Sequence, residues 1–447
     1  MRIQLCEHFD YKKLLRFVFP SVAMMVFGSV YGIVDGLFVS NIVGKTPFAA
    51  LNLIYPFIAV LSALGFMIGA GGNAIVSKTL GEGKREKANE YFSMLIYVSL
   101  VIGIVIAAIG IATVRPVAIL LGAEGEEMIE NCAIYGAIIF AGIPFFMLQN
   151  AFSIFFITAE RPQYGFYTTV AAGCGNMVLD WLFMAVFEWG IAGAALATIS
   201  SQFIGAIIPV IYFARKHNSS LLRLGKGPFV LNVFWKTCTN GSSEFVTNVS
   251  GNIVSMLYNF QLMRFAGEDG VAAYGVLMYA NWIFVAILFG YVTGASPIIG
   301  YHYGAQNHDE LKNLFKKSMI LMAAGGITLM VLAIVFADAL SGIFVGYDRA
   351  LFEMTKRGFI ISAVAFLICG INIFGSGFFT ALNNGLISAV ISFLRTVVFQ
   401  VATVMILPIF WELDGVWWSM VVSEILAFAV TVFCLIKYKN RYDRREE

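Results

Sequence analysis

The sequence predicts an all-α polytopic membrane protein, in which twelve transmembrane helices form two parallel, pseudo-symmetric six-helix lobes around a central cleft. Three observations lead to this fold class: an apolar composition, a one-sided distribution of basic residues and an internal repeat. Of the 447 residues, 59% are hydrophobic and 13% are charged, whereas about a quarter of a soluble domain is charged. The hydrophobic residues suffice for twelve spans of roughly 20 residues each. Little of the chain remains for a soluble domain.

Apolar runs bounded by charge clusters or Gly/Pro turns locate the twelve spans. Six fall in the first half of the chain and six in the second. The predicted spans are 14–40, 47–77, 91–114, 131–158, 163–188, 190–214, 235–265, 270–300, 314–340, 355–382, 385–411 and 413–438.

The basic residues indicate how these spans are oriented. With a cytoplasmic N-terminus, 22 of the 29 Lys and Arg residues fall in cytoplasmic segments, six fall on the opposite side, and Arg395 lies inside a span. This bias predicts a multi-pass protein of the cell membrane with both termini in the cytoplasm. Arg395 could pair with an internal acid, line the cleft or snorkel to the cytoplasmic surface. Because it is about three helical turns from the turn near Asn384, we expect it to snorkel.

The chain contains two copies of one six-helix unit. Residues 20–93 align with 243–316 at a constant shift of 223, and a shift of 222 then places Asn150 on Asn372. Since each unit has an even number of spans, the two units are parallel, an arrangement typical of transporters that alternate access around a central site. The predicted parts are a first lobe over 1–218, a cytoplasmic linker over 219–229 and a second lobe over 230–447.

Carboxylates inside the spans are the main candidate functional residues, because a bare carboxylate in the membrane costs several kcal/mol. Asp35 lies in the middle of the first span, and Asp180 follows Asn176 by one turn on the same face of the fifth. Asn150 and Thr198 could add oxygens, although each alone is more typical of a helix-packing contact. Two carboxylates with neutral oxygens suit either Na⁺ or a proton carried on a carboxyl group.

The second half contains a different polar set. Glu244 is the one acid of this half that we place deep in a span, and it aligns with Ser21 of the first half rather than with another acid. We therefore expect ion coupling in the first half and recognition of a cationic substrate at Glu244. Polar side chains continue from Glu244 at helical spacing, which is typical of a helix that lines a cavity. They are Asn248, Asn252, Ser255 and Asn259.

At these residues the chain resembles the multidrug and toxic compound extrusion (MATE) family, in particular the drug exporters of Gram-positive bacteria. The resemblance covers nearly the whole chain. It rests on the first helix from Pro20 to Asp35, on Gly-Glu-Gly-Lys at 81–84, on Glu-Arg-Pro at 160–162 and on the polar residues named above. The acid on helix ten that some branches carry has no counterpart here.

The resemblance implies efflux of amphipathic, often cationic compounds in exchange for inward Na⁺ or H⁺, without a cofactor. It also implies a cation or proton site formed by Asp35, Asn150, Asn176, Asp180 and Thr198, with Na⁺ held by Asp35, Asn176 and Asp180 as the metal alternative. The substrate would meet Glu244 and a set of aromatic, Met and amide side chains in the cleft. These are Tyr31, Gln149, Phe152, Met256, Tyr279, Asn281 and Trp282.

Other functions remain open at this point. The first is a flippase or exporter of a lipid-linked or endogenous metabolite on the same fold, for which a cleft rich in Arg and Lys is expected. A membrane-embedded enzyme is disfavoured because the chain has no H-E-x-x-H motif and no clustered histidines. A channel is disfavoured because no filter motif repeats. The balanced charge predicts no nucleic-acid partner, and the duplicated chain predicts a monomer in the bilayer.

Overall fold

Residues 3–215 and 220–439 are described in a computed structural model of the chain, and over these ranges the regular structure is helical. The predicted lobe–linker boundary at 218/219 and both chain ends lie outside the described residues. The helices are α1 (Tyr11–Ile42), α2 (Lys45–Gly81), α3 (Arg85–Leu120), α4 (Glu126–Thr158), α5 (Pro162–Asp180), α6 (Gly190–Ala214), α7 (Leu231–Gly304), α8 (His308–Val335), α9 (Ala337–Val345), α10 (Arg349–Ala363), α11 (Phe366–Ala381), α12 (Gly385–Phe393) and α13 (Gln400–Lys437), with π-helical segments at Trp181–Val186 and Leu394–Phe399.

Twelve membrane spans follow from these helices, because α7 and α13 each turn back on themselves. A straight helix of 74 residues such as α7 would extend about 110 Å, whereas the hydrocarbon core is about 30 Å thick. Non-helical backbone at Gly267 divides α7 into two spans, and Glu412 likewise separates the span built from α12 and the start of α13 from the last one. The helices α10 and α11 form one span with a 49° bend. The predicted count of twelve is confirmed for the described residues.

The internal repeat extends to the backbone at these turns. Gly44, between α1 and α2, has a φ of 94°, and Gly267, its equivalent within α7, has a φ of 60°. Likewise, Gly190 at the start of α6 has a φ of 54°, and its equivalent Glu412 has a φ of 48°. Glycine adopts such left-handed conformations readily. At equivalent turns of the two lobes, the chain therefore reverses direction through a residue with positive φ.

The ninth span differs from its predicted bounds of 314–340. Helix α8 ends at Val335, and the short helix α9 starts two residues later. The Lys356 ammonium lies 2.7 Å from the Asp338 carboxylate at the start of α9. Because an exposed ion pair belongs at the membrane edge rather than in the hydrocarbon, the span ends before this charge.

The two lobes meet at one end of the helices, which we call the basic face: the end at which α1 and α7 begin. A Cβ atom at Gly81 would meet the carbonyl oxygen of Tyr301, and a Cβ atom at Gly304 would meet that of Lys78. The two contacts are equivalent in the repeat, since a shift of 223 takes Gly81 to Gly304 and Lys78 to Tyr301. Helices α2 and α7 thus cross backbone to backbone about the pseudo-two-fold axis.

Buried hydrogen bonds reinforce this crossing. The Asn73 amide donates to the Ser296 hydroxyl at 3.1 Å, and the Thr158 hydroxyl donates to the Asn73 carbonyl oxygen at 2.6 Å. Asn73 and Ser296 are equivalent positions of the repeat. Because a buried polar group is costly without its partner, the Asn73–Ser296 bond favours the joined arrangement of the lobes. The bond from Thr158, within the first lobe, holds the Asn73 side chain in place.

The chain segment before α1 also links the lobes. The Leu5 backbone N–H donates to Glu160 of the first lobe at 2.8 Å, while the Phe9 N–H donates to Glu310 of the second lobe at 2.9 Å. The His8 imidazole lies 2.5 Å from the same Glu310 carboxylate. Leu5 and Phe9 are fully buried. The segment before α1 therefore connects the two lobes at the basic face.

At the opposite end of the helices the lobes are apart. Cβ positions at Gly28 and Gly32 of α1, and at Gly251 and Gly275 of α7, have no neighbouring atom within 4 Å. In contrast, Cβ positions at Gly71, Gly81, Gly241 and Gly304, nearer the basic face, would meet the backbone of the other lobe. The space between the lobes is therefore closed at the basic face and widens towards the opposite face.

Candidate functional site

A central cavity of about 660 Å³ lies between the lobes, within the size range of pockets for drug-sized ligands. Its first-lobe wall includes Tyr55 and Phe66 of α2, and its second-lobe wall comes mainly from α7, α10, α11 and α13. Aromatic and aliphatic side chains dominate, with a few polar groups among them. The cavity suits an amphipathic ligand.

Part of the set predicted to meet the substrate lines this cavity. Glu244, Asn281 and Trp282 do so, together with three members of the polar stripe, Asn248, Asn252 and Ser255. The Glu244 carboxylate makes no hydrogen bond or ion pair with the described residues and is not among their buried unpartnered atoms. It is therefore open to the cavity.

The other predicted substrate residues lie outside the cavity wall. Phe152 is fully buried in the core of the first lobe, and Gln149 packs against Gly205 of α6. Met256 of α7 is 64% exposed and does not line the cavity. Tyr279 stacks near Phe344 with ring centroids 6.0 Å apart. Tyr31 is likewise outside the cavity wall. A role for these five side chains in substrate binding stays a prediction.

The two acids of the first lobe lie together. Because α1 packs against α5, the Asp35 and Asp180 carboxyl groups come within hydrogen-bonding reach of each other. One oxygen of Asp35 and both oxygens of Asp180 are buried and have no hydrogen-bond partner among the described residues. Ionised carboxylates accept hydrogen bonds and cannot donate them, so a shared proton or a bound cation is what would satisfy the pair.

Asn176 belongs to the same cluster. It lies one turn before Asp180 on α5, it is buried, and neither its amide nitrogen nor its carbonyl oxygen has a partner in the described ranges. Buried side-chain amides are normally hydrogen-bonded. Three neighbouring side chains with unfilled bonding capacity therefore form a candidate ion site, which we call the acid pair site: Asp35, Asn176 and Asp180.

Three tyrosines lie in the neighbourhood of Asp35. Tyr31 on α1, Tyr55 on α2 and Tyr135 on α4 each interact electrostatically with Asp35. Tyr31 also packs against Gly173 of α5. Tyr55 also lines the central cavity, so the same side chain interacts with Asp35 and faces the cavity.

Asn150 and Thr198 make local bonds in this structure. The Asn150 amide donates to the Phe146 carbonyl at 3.1 Å, and the Thr198 hydroxyl donates to the Ala194 carbonyl at 3.1 Å. Both acceptors belong to the residue's own helix, one turn earlier. A part for these two side chains in ion binding stays a prediction.

The expectation that Arg395 snorkels to the surface is wrong. Its Nη2 atom lies 2.7 Å from the Glu424 carboxylate inside the second lobe, and the two side chains are 12% and 6% exposed. Asn372 donates to the same carboxylate at 2.6 Å. With an internal carboxylate and amide in reach, the guanidinium gains more from pairing than from extending to water.

Glu424 is the functional candidate that sequence reasoning missed. It lies in the last span, between Ser423 and Ile425, and lines the central cavity with Arg395. Its signal was present, because an acid and a base in the middle of two successive apolar runs predict a pair. Among the described residues no three His, Cys, Asp or Glu side chains gather to hold a metal.

Comparison with known proteins places these features in context. The MatE family model matches residues 20–182 and 245–406. The multidrug export protein MepA of Staphylococcus saprophyticus is 24% identical over 438 residues, covering 98% of this chain and 96% of the relative. MepA of Staphylococcus aureus strain MRSA252 is 23% identical and covers 96% of this chain and 94% of its own length.

Solved structures share the fold. A structure described as the outward-facing conformation of a multidrug resistance MATE family transporter of the MOP superfamily superimposes with a TM-score of 0.92. The two sequences are 20% identical, and the match covers 99% of each chain. The twelve-helix, two-lobe architecture is thus common to both proteins.

Proposed function

Because the chain belongs to the MatE family, we propose that it is a secondary active exporter of amphipathic, often cationic compounds, driven by inward movement of Na⁺ or H⁺. The names of the similar MepA proteins, which cover nearly the whole length of both chains, support multidrug export. As an exporter of this kind it would act without a cofactor and without catalysing a chemical reaction.

One observation carries the ion-coupled part of the proposal: the acid pair site beside an inter-lobe cavity. Two carboxylates in contact inside a membrane protein cannot both stay ionised unless a cation joins them. The site therefore binds and releases positive charge as its exposure changes. Asn176 supplies a further neutral oxygen, as a hard cation such as Na⁺ requires.

Alternating access is supported by the asymmetry between the two ends of the molecule. The basic face is closed by backbone contacts and the opposite face is open. We infer that the basic face, which carries most Lys and Arg residues, is cytoplasmic, so that the cavity opens outward here. Both termini would then be cytoplasmic, and rocking of the two lobes as units would reverse the opening. The duplicated chain supplies both lobes, so a monomer suffices.

The flippase alternative receives less support from the cavity. Its wall carries Arg395, but this side chain is neutralised by Glu424, and Glu244 adds a further negative charge. A lipid-linked pyrophosphate would meet net negative charge there. An amphipathic cation would meet a complementary site.

Imposed gradients test the coupling. In proteoliposomes loaded with a fluorescent lipophilic cation, we expect efflux to accelerate when either a Na⁺ or a pH gradient is imposed in the inward direction. Equal rates with and without both gradients would contradict ion coupling. Liposomes without protein, and proteoliposomes with the gradient collapsed by an ionophore, are the controls.

Glu244→Gln tests the binding of the cation. We expect this substitution to weaken binding of a cationic substrate about tenfold, because it removes one charged partner facing the ligand, and to change binding of a neutral amphiphile of similar size much less. Equilibrium binding to the purified protein measures both. Glu353→Gln, on α10 outside the cavity wall, is a matched control. Equal losses for both ligands would count against charge pairing at Glu244.

A further inference from the structure

Three charged side chains of the second lobe meet at the wall of the central cavity. They come from different elements: Glu244 from α7, Arg395 from the π-helical segment that follows α12, and Glu424 from α13. Arg395 is the ion-pair partner of Glu424 and also the charged neighbour of Glu244. This part of the cavity wall therefore carries one cationic group and two carboxylates.

Only two of the three guanidinium nitrogens of Arg395 make polar contacts with the described residues. Its Nε atom donates to Glu424 at 2.9 Å, and Nη2 reaches Glu424 at 2.7 Å and the Cys369 sulfur at 3.3 Å. Asn372 holds the other side of the Glu424 carboxylate. The guanidinium is thus fixed at the cavity wall through two of its three nitrogens.

The remaining nitrogen of Arg395, Nη1, is available. It has no acceptor among the described residues, and it is not one of their buried unpartnered atoms. Since Arg395 lines the cavity, this nitrogen presents its N–H groups to whatever occupies the cavity. The Glu244 carboxylate is open to the same space. The wall therefore carries one free anionic group and one free cationic donor.

The fold itself does not require these charges. In the first lobe the repeat places Gly173 at the position of Arg395, Gln202 at that of Glu424 and Ser21 at that of Glu244. The first lobe packs the same helices with neutral residues at all three positions. Because burying an ion pair offers little or no net stability over neutral residues, its presence in one lobe alone points to a use in ligand binding.

We propose that Arg395 is an anion-recognising residue of the substrate site, and that the cavity takes amphipathic zwitterions whose carboxylate binds Arg395 while their cationic group pairs with Glu244. Guanidinium is the preferred protein partner of carboxylates because its planar donors match their geometry. Glu424 acts as the positioning residue that orients Arg395. This inference rests on the proposed export function and adds the substrate class to it.

A purely anionic ligand fits the cavity less well. It would face two carboxylates and one guanidinium, a net negative wall. A zwitterion places each of its charges opposite a complementary group and leaves the wall with its original net charge. The preference for a carboxylate is therefore expected only when a cationic group accompanies it.

Two rhodamine dyes that differ only in one methyl ester test the inference. The ester is a monocation and the free acid is a zwitterion with the same ring system. Fluorescence polarisation with the purified full-length protein measures both affinities. We expect the wild type to bind the acid more tightly, and the double variant Arg395→Gln/Glu424→Gln to lose about tenfold of that preference. Changing both partners leaves no buried charge unpaired.

The ratio of the two affinities is the readout, because partial misfolding lowers both alike and leaves the ratio unchanged. Arg115→Gln/Glu126→Gln, at an ion pair exposed on the surface, is the matched control and should keep the wild-type ratio. If the Arg395/Glu424 double variant binds neither dye, Arg395→Lys decides: a reduced preference for the acid supports the inference, and an unchanged one overturns it.

The remaining outcomes separate the inference from the proposed function. A wild type that binds the ester but shows no preference for the acid overturns carboxylate recognition and leaves multidrug export standing. A double variant that keeps the full preference has the same meaning. A wild type that binds neither dye overturns both.

Discussion

Asp35→Asn is expected to reduce gradient-driven efflux to the level of liposomes without protein. The substitution keeps the size of the side chain but removes the charge that faces Asp180 in the acid pair site. An amide at this position cannot take up or release a proton, and it leaves one carboxylate to hold a cation that two would share. Transport measured with an imposed Na⁺ or pH gradient is the test, and Asp180→Asn should have the same effect.

Binding without a gradient should survive this change. Asp35 is not part of the cavity wall, so the Asp35→Asn protein is expected to bind the substrate within a few-fold of the wild-type affinity. Asp338→Asn, the same substitution at an exposed acid of the second lobe, serves as the control and should transport normally. Full gradient-driven efflux by Asp35→Asn would remove the acid pair site from the coupling mechanism.

Gly81→Val is expected to open the basic face. A side chain at this position would meet the backbone of Tyr301 in α7, which cannot move aside as a flexible side chain could. Overpacking of this kind costs about 1–3 kcal/mol, which corresponds to a shift of roughly 5- to 150-fold between two conformations. The cost falls on the conformation in which the lobes are joined at the basic face.

Hydrogen–deuterium exchange measures this shift. Amides near Gly81 and Gly304 should exchange faster in Gly81→Val than in the wild type, and Gly304→Val should reproduce the effect because the two contacts are equivalent. Gly28→Val, at a glycine with free space around it, is the control and should exchange like the wild type. Unchanged exchange in both basic-face variants would show that these crossings do not hold the lobes together.

Much of the fold could be predicted from the sequence because the bilayer imposes simple physical demands. A backbone in hydrocarbon must satisfy its own hydrogen bonds, so apolar stretches of sufficient length become helices. The sixth span was predicted as 190–214, and α6 covers those residues. The ninth span was placed less well, because apolar character continues from α8 into α9 although the membrane helix ends at Val335.

The candidate site was predictable only in part. A charged residue inside a span indicates that it needs a partner, but the sequence does not identify that partner. Asp35 and Asp180 are 145 positions apart in the sequence. Both could be predicted as candidates because a carboxylate inside a membrane span is costly. Glu424 was overlooked for the same reason that Arg395 was misplaced. The sequence allows Arg395 to pair with an internal acid but does not identify that acid as Glu424, because their contact forms only when the helices pack.

For aromatic residues, the sequence does not distinguish a position in the core from a position at the cavity wall. Phe152 and Trp282 are equally apolar in the sequence, yet the first lies in the first-lobe core and the second at the cavity wall. Nothing in their local spacing separates a side chain that packs within a lobe from one that faces the other lobe. The packing of the helices makes that choice.

The sequence by itself determined the membrane environment, the twelve spans and the duplication, and it indicated Asp35, Asp180 and Glu244 as candidate residues. These follow from composition, periodicity and the high cost of charge in hydrocarbon. Only the tertiary structure decided that Asp35 meets Asp180, that Arg395 meets Glu424, and that the lobes close at one end through Gly81 and Gly304. These are contacts between residues far apart in the chain. They depend on how helices pack against one another, which local physical chemistry does not specify.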